Sequence, residues 1–135
     1  MKTYAAMYGI IWLAFFEIML VLFLPFSYII NLAIHIIIAA ALLGFAFIIY
    51  NKVRLTPCPD RIKRITRTTR NLSVFQAVLG VALAVGIALS WGDLYAGVIS
   101  FLHVGTALTI LSQASSSATA FDMWEEKEFL VAPAK

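Results

Sequence analysis

Four apolar runs, each long enough to cross a bilayer, leave this chain little freedom in how it folds: roughly residues 4–24, 26–50, 72–91 and 95–121. A helix crosses the hydrocarbon layer with about 20 apolar residues. Lipid leaves no water to satisfy the backbone, so such runs close their hydrogen bonds internally as helices. Across all 135 residues the chain is 62% hydrophobic, with a mean hydropathy of +0.93. The fold expected is an all-α integral membrane protein: a four-transmembrane-helix bundle forming a single domain over residues 1–135. The first run follows Lys2 but is too long for the apolar part of a signal peptide. No small-x-small cleavage site follows Leu24, so it reads as a retained helix.

Basic residues orient the bundle. The segment 51–71 carries Lys52, Arg54, Arg61, Lys63, Arg64, Arg67 and Arg70, while the turns around Pro25 and Gly92-Asp93 carry none. Lys2 lies at one terminus, and Lys127 and Lys135 at the other. The positive-inside rule puts the basic loop and both termini in the cytoplasm of a cell with a multi-pass protein in its plasma membrane. The net charge of +3 belongs to this topology and requires no nucleic-acid partner.

Within the runs, helix 1 is bulky, with Trp12, Phe15, Phe16 and Phe23, and Pro25 ends it. Tyr28 suits the outer interface and Tyr50 the inner one. Helices 2 to 4 are rich in small residues, as in Ala40-x-x-x-Gly44, Gly80-x-x-x-Ala84 and Ala82-x-x-x-Gly86. Small faces allow close helix contact or make room for a flat cofactor. Asp60, after Pro59 and before Arg61-Ile62-Lys63-Arg64-Ile65, reads as the N-cap of a helix running on into helix 3. Its basic turns reach the headgroup region, chiefly as a solvated topology signal. The cytoplasmic tail, 122–135, is expected to lie on the membrane surface or dock on a partner. Cys58 is the one cysteine, a lone loop thiol with no disulfide partner in the chain. No Gly-rich phosphate loop, Ser/His/Asp set or cysteine cluster is present.

The chemistry concentrates in two histidines, His35 and His103, each inside an apolar run. Intramembrane ionisable side chains are costly and mark functional sites or paired partners. In the expected topology helices 2 and 4 both run from outside to inside. At 1.5 Å per residue both histidines sit about 12–14 Å below the outer ends of their helices. Two imidazoles level on parallel helices are the arrangement a bis-histidine haem requires. Each histidine also has an alanine at i+4, Ala39 and Ala107, on its own helix face. The haem-facing set is therefore His35 and His103 as axial ligands, with Ala39 and Ala107 against the macrocycle. No metal beyond the haem iron is expected, since zinc normally takes at least three protein ligands. The competing structural role is a hydrogen bond from each histidine across the bundle.

Glu17 is the one charge in helix 1 and falls near the same level. Two readings stand: a protonated carboxyl bonded to a neighbouring helix, its burial favouring the neutral form, or a working group. In the second, Glu17 orients an imidazole, relays protons in a catalytic role or holds a quinone headgroup. Gln76 and Gln113, towards the cytoplasmic ends of helices 3 and 4, read as interhelical hydrogen-bond residues.

Helices 2 to 4 resemble one four-helix half of the heme A synthase family. The resemblance is carried by His35-Ile-Ile-Ile-Ala39-Ala-Ala-Leu-Leu-Gly44, by Phe75-Gln76-Ala77-Val78-Leu79-Gly80 with Val85 beyond, and by Leu102-His103-Val104-Gly105-Thr106-Ala107. It covers about two thirds of the chain. It implies a four-helix bundle with haem-ligating histidines on the second and fourth helices, and, in short members, pairing of the bundle with itself. The family's histidine on the second helix usually has an arginine beside it and a glutamate three residues earlier; here those positions are Ile36 and Leu32. The family's sizeable outer segment before that histidine has no counterpart in the turn around Pro25. The resemblance therefore implies the bundle and its ligands more than it implies oxidation of a haem methyl group.

Two functions of different classes follow. One is a membrane haem-binding protein with a b-type haem between helices 2 and 4 (haem O or haem A as variants), acting in respiratory electron transfer or as a heme A synthase-like oxidoreductase. The other is a haem-free accessory subunit of a larger respiratory or membrane oxidase complex. Expected partners are the lipid bilayer, other membrane subunits or further copies of the chain, and a quinone where Glu17 holds one.

Overall fold

Only four residues separate each long helix from the next, and that brevity fixes the architecture. A computed structural model describes residues 3–23 and 26–131, with side chains through Lys127. It contains α1 (Thr3–Phe23), α2 (Tyr28–Leu55), α3 (Asp60–Ala88) and α4 (Asp93–Val131). Each is long and apolar enough to cross a membrane. Lys2, Pro25 and Lys135 lie outside the described residues.

Short connections make sequential helices antiparallel neighbours. Accordingly α1 packs on α2, α2 on α3, α3 on α4, and α4 closes the ring on α1. The backbones of the diagonal pairs, α1 with α3 and α2 with α4, come nowhere within 8 Å of each other, Cα to Cα, among the described residues. This leaves α2 and α4 parallel and facing each other across the axis of the bundle.

The basic segment is more ordered than a loop over 51–71. Only residues 56–59 leave the helical path, because Lys, Arg and Thr continue the helices on either side and two prolines supply the break. Thr56 closes α2 by donating its backbone N–H to the Val53 carbonyl at 3.1 Å and its hydroxyl to the Lys52 carbonyl at 3.0 Å. Asp60 is not the cap of α3. Pro59 takes that place, its carbonyl accepting from Ile62 at 2.9 Å, and Asp60 becomes the first helical residue. A carboxylate there still faces the positive end of the helix dipole. The tail also departs from its expected form, since α4 runs on through Val131 rather than ending near Phe121.

The α3–α4 turn is a Schellman-type ending. Ser90 donates to the Ile87 carbonyl at 3.1 Å and Trp91 to the Gly86 carbonyl at 3.0 Å, with Ser90 itself left-handed at φ 54°. Tyr95 then folds back on α3. Its hydroxyl donates to the Ala82 carbonyl at 2.9 Å, and Trp91 meets its ring edge-on at 4.9 Å. A Cβ at Gly86 would overlap the Tyr95 ring. The small-residue spacing of α3 therefore seats an aromatic ring rather than a bare helix backbone.

Tight packing is concentrated in the half of the bundle that holds the first turns of α1 and the turn between α2 and α3. Met7 and Ile10 of α1, Ile49 and Val53 of α2, Ile62 of α3, and Ala118 and Phe121 of α4 form one buried cluster. Cys58 joins it from the turn, its thiol reaching the Val53 carbonyl at 3.8 Å. Burial pushes this thiol's pKa up, with the Lys63 ammonium offsetting part of the effect. Beyond the middle of the bundle the surfaces are mainly exposed and apolar, as at Ile36, Ile37, Val81, Val98 and Phe101.

Candidate functional site

Where the tight core ends, a layer of polar side chains crosses the bundle with a contribution from every helix. Glu17 comes from α1, His35 from α2, Gln76 from α3 and His103 from α4. The two imidazoles face each other with ring centroids 6.1 Å apart and ring planes at 53°. Because the backbones of their helices stay apart, the rings bridge a diagonal that backbone packing leaves open.

Each imidazole has a different neighbour. Nδ1 of His35 is in ion-pair contact with Oε1 of Glu17. A neutral imidazole with its proton on Nδ1 donates to a carboxylate in this geometry and keeps a lone pair on the other ring nitrogen. Neither contact atom has another partner, and Oε2 of Glu17 is buried with none. The His103 ring instead lies by the main-chain carbonyl of Gln76. Gly80, one turn further along α3, completes its seat: a Cβ at that position would come within 3.3 Å of His103 Cε1 and 4.0 Å of Nδ1. The missing side chain is what admits the ring. Nδ1 of His103 and Oε1 of Gln76 are buried without hydrogen-bond partners.

The structure thus brings Glu17, His35 and His103 together. Ala107 is half-buried on the histidine side of α4, whereas Ala39 is exposed. Ile36 and Leu32 are exposed apolar side chains. Glu17, from another helix, supplies a carboxyl at His35 where the local sequence has none.

Sequence reasoning passed over Gly80 and misplaced Gln76. With helix 3 begun at residue 72, Gln76 falls near the basic end; α3 begins at Asp60, which puts Gln76 mid-helix beside His103. The available signal was the spacing itself, since Gln76 and Gly80 at i and i+4 lie on one helix face. Gln113 is half-buried further along α4. Asn31 is buried nearer the opposite end, where its Nδ2 donates to the Phe26 carbonyl at 2.8 Å.

No protein-family model, curated protein or solved structure matches this chain. The chemistry of the layer must therefore be judged from its own geometry. A metal–imidazole bond is about 2.0–2.1 Å long, and adding a ring radius on each side places two imidazoles on one metal with centroids about 6 Å apart. Two rings in direct contact have similar separations. Among the described residues no group of three His, Cys, Asp or Glu side chains, Glu17 with the two histidines included, is placed to hold a metal ion by itself. A zinc-like site lacks donors here, while a macrocycle that brings four nitrogens of its own requires only two from the protein. The residues fit that second case. They offer two opposed imidazoles, a carboxyl placed to orient one ring, and a glycine that seats the other.

Proposed function

We propose that this is a multi-pass protein of the cell membrane, with both termini and the basic turn in the cytoplasm, that holds a b-type haem between α2 and α4 through His35 and His103. It acts as an electron carrier in a respiratory membrane. The observation that carries the reading is the opposed imidazole pair at 6.1 Å on helices whose backbones stay apart. One ring also has an orienting group beside it. Metal-ligating histidines usually give their other ring N–H to a carboxylate or backbone carbonyl, and Glu17 stands in that place for His35.

When bound, haem supplies one-electron chemistry by cycling its iron between the ferric and ferrous states. The protein's contribution is positional and electrostatic. Glu17 engages Nδ1 of His35, leaving the other ring nitrogen for a metal. The bare backbone at Gly80 seats His103 at the same level. The resemblance to the heme A synthase family supports the same ligand set. Glu17 is then the candidate for enzymatic proton transfer, and Glu17→Gln should lower turnover while haem content is retained.

The absorption spectrum of the purified protein tests the reading. The expected result is a Soret band with low-spin α and β bands on reduction, lost in both His35→Ala and His103→Ala. A folded, helical protein with no Soret band, or one unchanged by His103→Ala, overturns it and leaves the haem-free accessory subunit.

A further inference from the structure

At the basic end of the bundle, three arginines converge on one tyrosine. Arg70 of α3 lies over the Tyr50 ring of α2, its guanidinium carbon 4.1 Å from the centroid, and 5.8 Å from the ring of Phe47. Its Nε and Nη2 both donate to Asn71 Oδ1, at 3.1 and 2.7 Å, so a neutral amide fixes the guanidinium plane without cancelling its charge. Arg67, one turn earlier on α3, and Arg54, one turn beyond Tyr50 on α2, are near enough for their charges to act on the Tyr50 phenol. Among the described residues no carboxylate pairs with Arg54, Arg67 or Arg70. Three like charges gathered around one phenol repel one another, and an anion between them would remove that cost. Arginine's planar fork suits a phosphate oxygen pair in particular.

The surface running from this cluster towards the middle of the bundle is apolar. On α3, Val74, Val78 and Val81 continue the line of Arg70 at helical spacing and are 41%, 57% and 65% exposed. On α2, Phe47 lies one turn inward from Tyr50 and is 40% exposed. A cationic head site opening onto an apolar groove between two packed helices has the shape of an amphiphile, not of a free ion.

We propose that Tyr50, Arg54, Arg67 and Arg70 bind the phosphodiester headgroup of an anionic membrane lipid, with its acyl chains along the α2–α3 groove. The site rests on the membrane reading and not on haem. It differs from the diffuse attraction of basic segments to anionic leaflets, because Arg61 and Arg64 of the same helix are not among the charges that act on Tyr50.

The test uses the detergent-purified full chain, with lipid retention followed by native mass spectrometry and thermal stability. Phosphatidylglycerol should be retained and raise the melting temperature, while phosphatidylcholine, or inorganic phosphate at matched ionic strength, should not. The Arg67→Gln/Arg70→Gln double variant should bind phosphatidylglycerol roughly tenfold more weakly. Arg61→Gln/Arg64→Gln, which removes the same charge, should lose less than about threefold. Equal losses in the two variants would reduce the site to general surface potential and overturn it. Stabilisation by inorganic phosphate equal to that by phosphatidylglycerol would overturn the lipid assignment. A double variant that fails to fold leaves the decision to the comparison of the three ligands on the native chain. A chain that needs no detergent for extraction fails the membrane reading itself, a result distinct from the lipid outcomes.

Discussion

Single atoms decide two positions on α3. At Gly80, the hydrogen in place of a side chain leaves the space that the His103 ring takes. Gly80→Ala brings a Cβ within 3.3 Å of that ring, so His103 must shift by a few tenths of an ångström. The expected outcome is a lower haem content per protein and a partial change from low-spin to high-spin absorption, with the helical circular dichroism unchanged. At Gly86 the conflict is with Tyr95, whose ring is pinned by its hydrogen bond to Ala82 and by Trp91. Gly86→Ala should cost about 1–3 kcal/mol, seen as a lower melting temperature in detergent. Cys58 offers a third check at this scale. Burial and the raised pKa of its thiol leave less thiolate at pH 8 than in an exposed cysteine. Native protein should therefore react with iodoacetamide about tenfold more slowly than denatured protein.

At the scale of elements, the turns hold more information than the helices. A left-handed residue other than glycine costs about 1–2 kcal/mol, and Ser90 occupies that conformation in the ending of α3. Ser90→Gly should raise the melting temperature, with a gain of about 1 kcal/mol in unfolding free energy. The helices themselves were readable from apolar run length, but their ends were not. Charged residues in 51–55 and 60–71 carry no apolar signal, yet they propagate the helices on either side of two prolines. Hydropathy therefore places the ends of α2 and α3 too early and too late. The same error hid the place of Gln76.

For the whole molecule, the ring of four antiparallel neighbours makes one end basic and dense and the other apolar and open. In the proposed orientation, Ser90→Cys in a Cys58→Ser background should react with a membrane-impermeant maleimide on intact cells. Arg61→Cys in the same background should react only after permeabilisation. The reverse pattern would invert the topology. The diagonal gap between α2 and α4 also belongs to this scale. Adjacent helices pack and set the ring, so the diagonal distance is left to the side chains that reach across it.

The sequence alone determined four helices, their alternating directions and the level of the histidines. Run length, basic-residue placement and helical rise are local or one-dimensional properties, and they need no knowledge of which faces meet. Only the tertiary structure decided that His35 meets Glu17, that His103 rests on Gly80 beside the Gln76 carbonyl, and that Arg54, Arg67 and Arg70 gather at Tyr50. These contacts depend on the rotation of each helix about its axis. In helices apolar on nearly every side, periodicity marks no preferred face. Packing against two neighbours supplies that rotation.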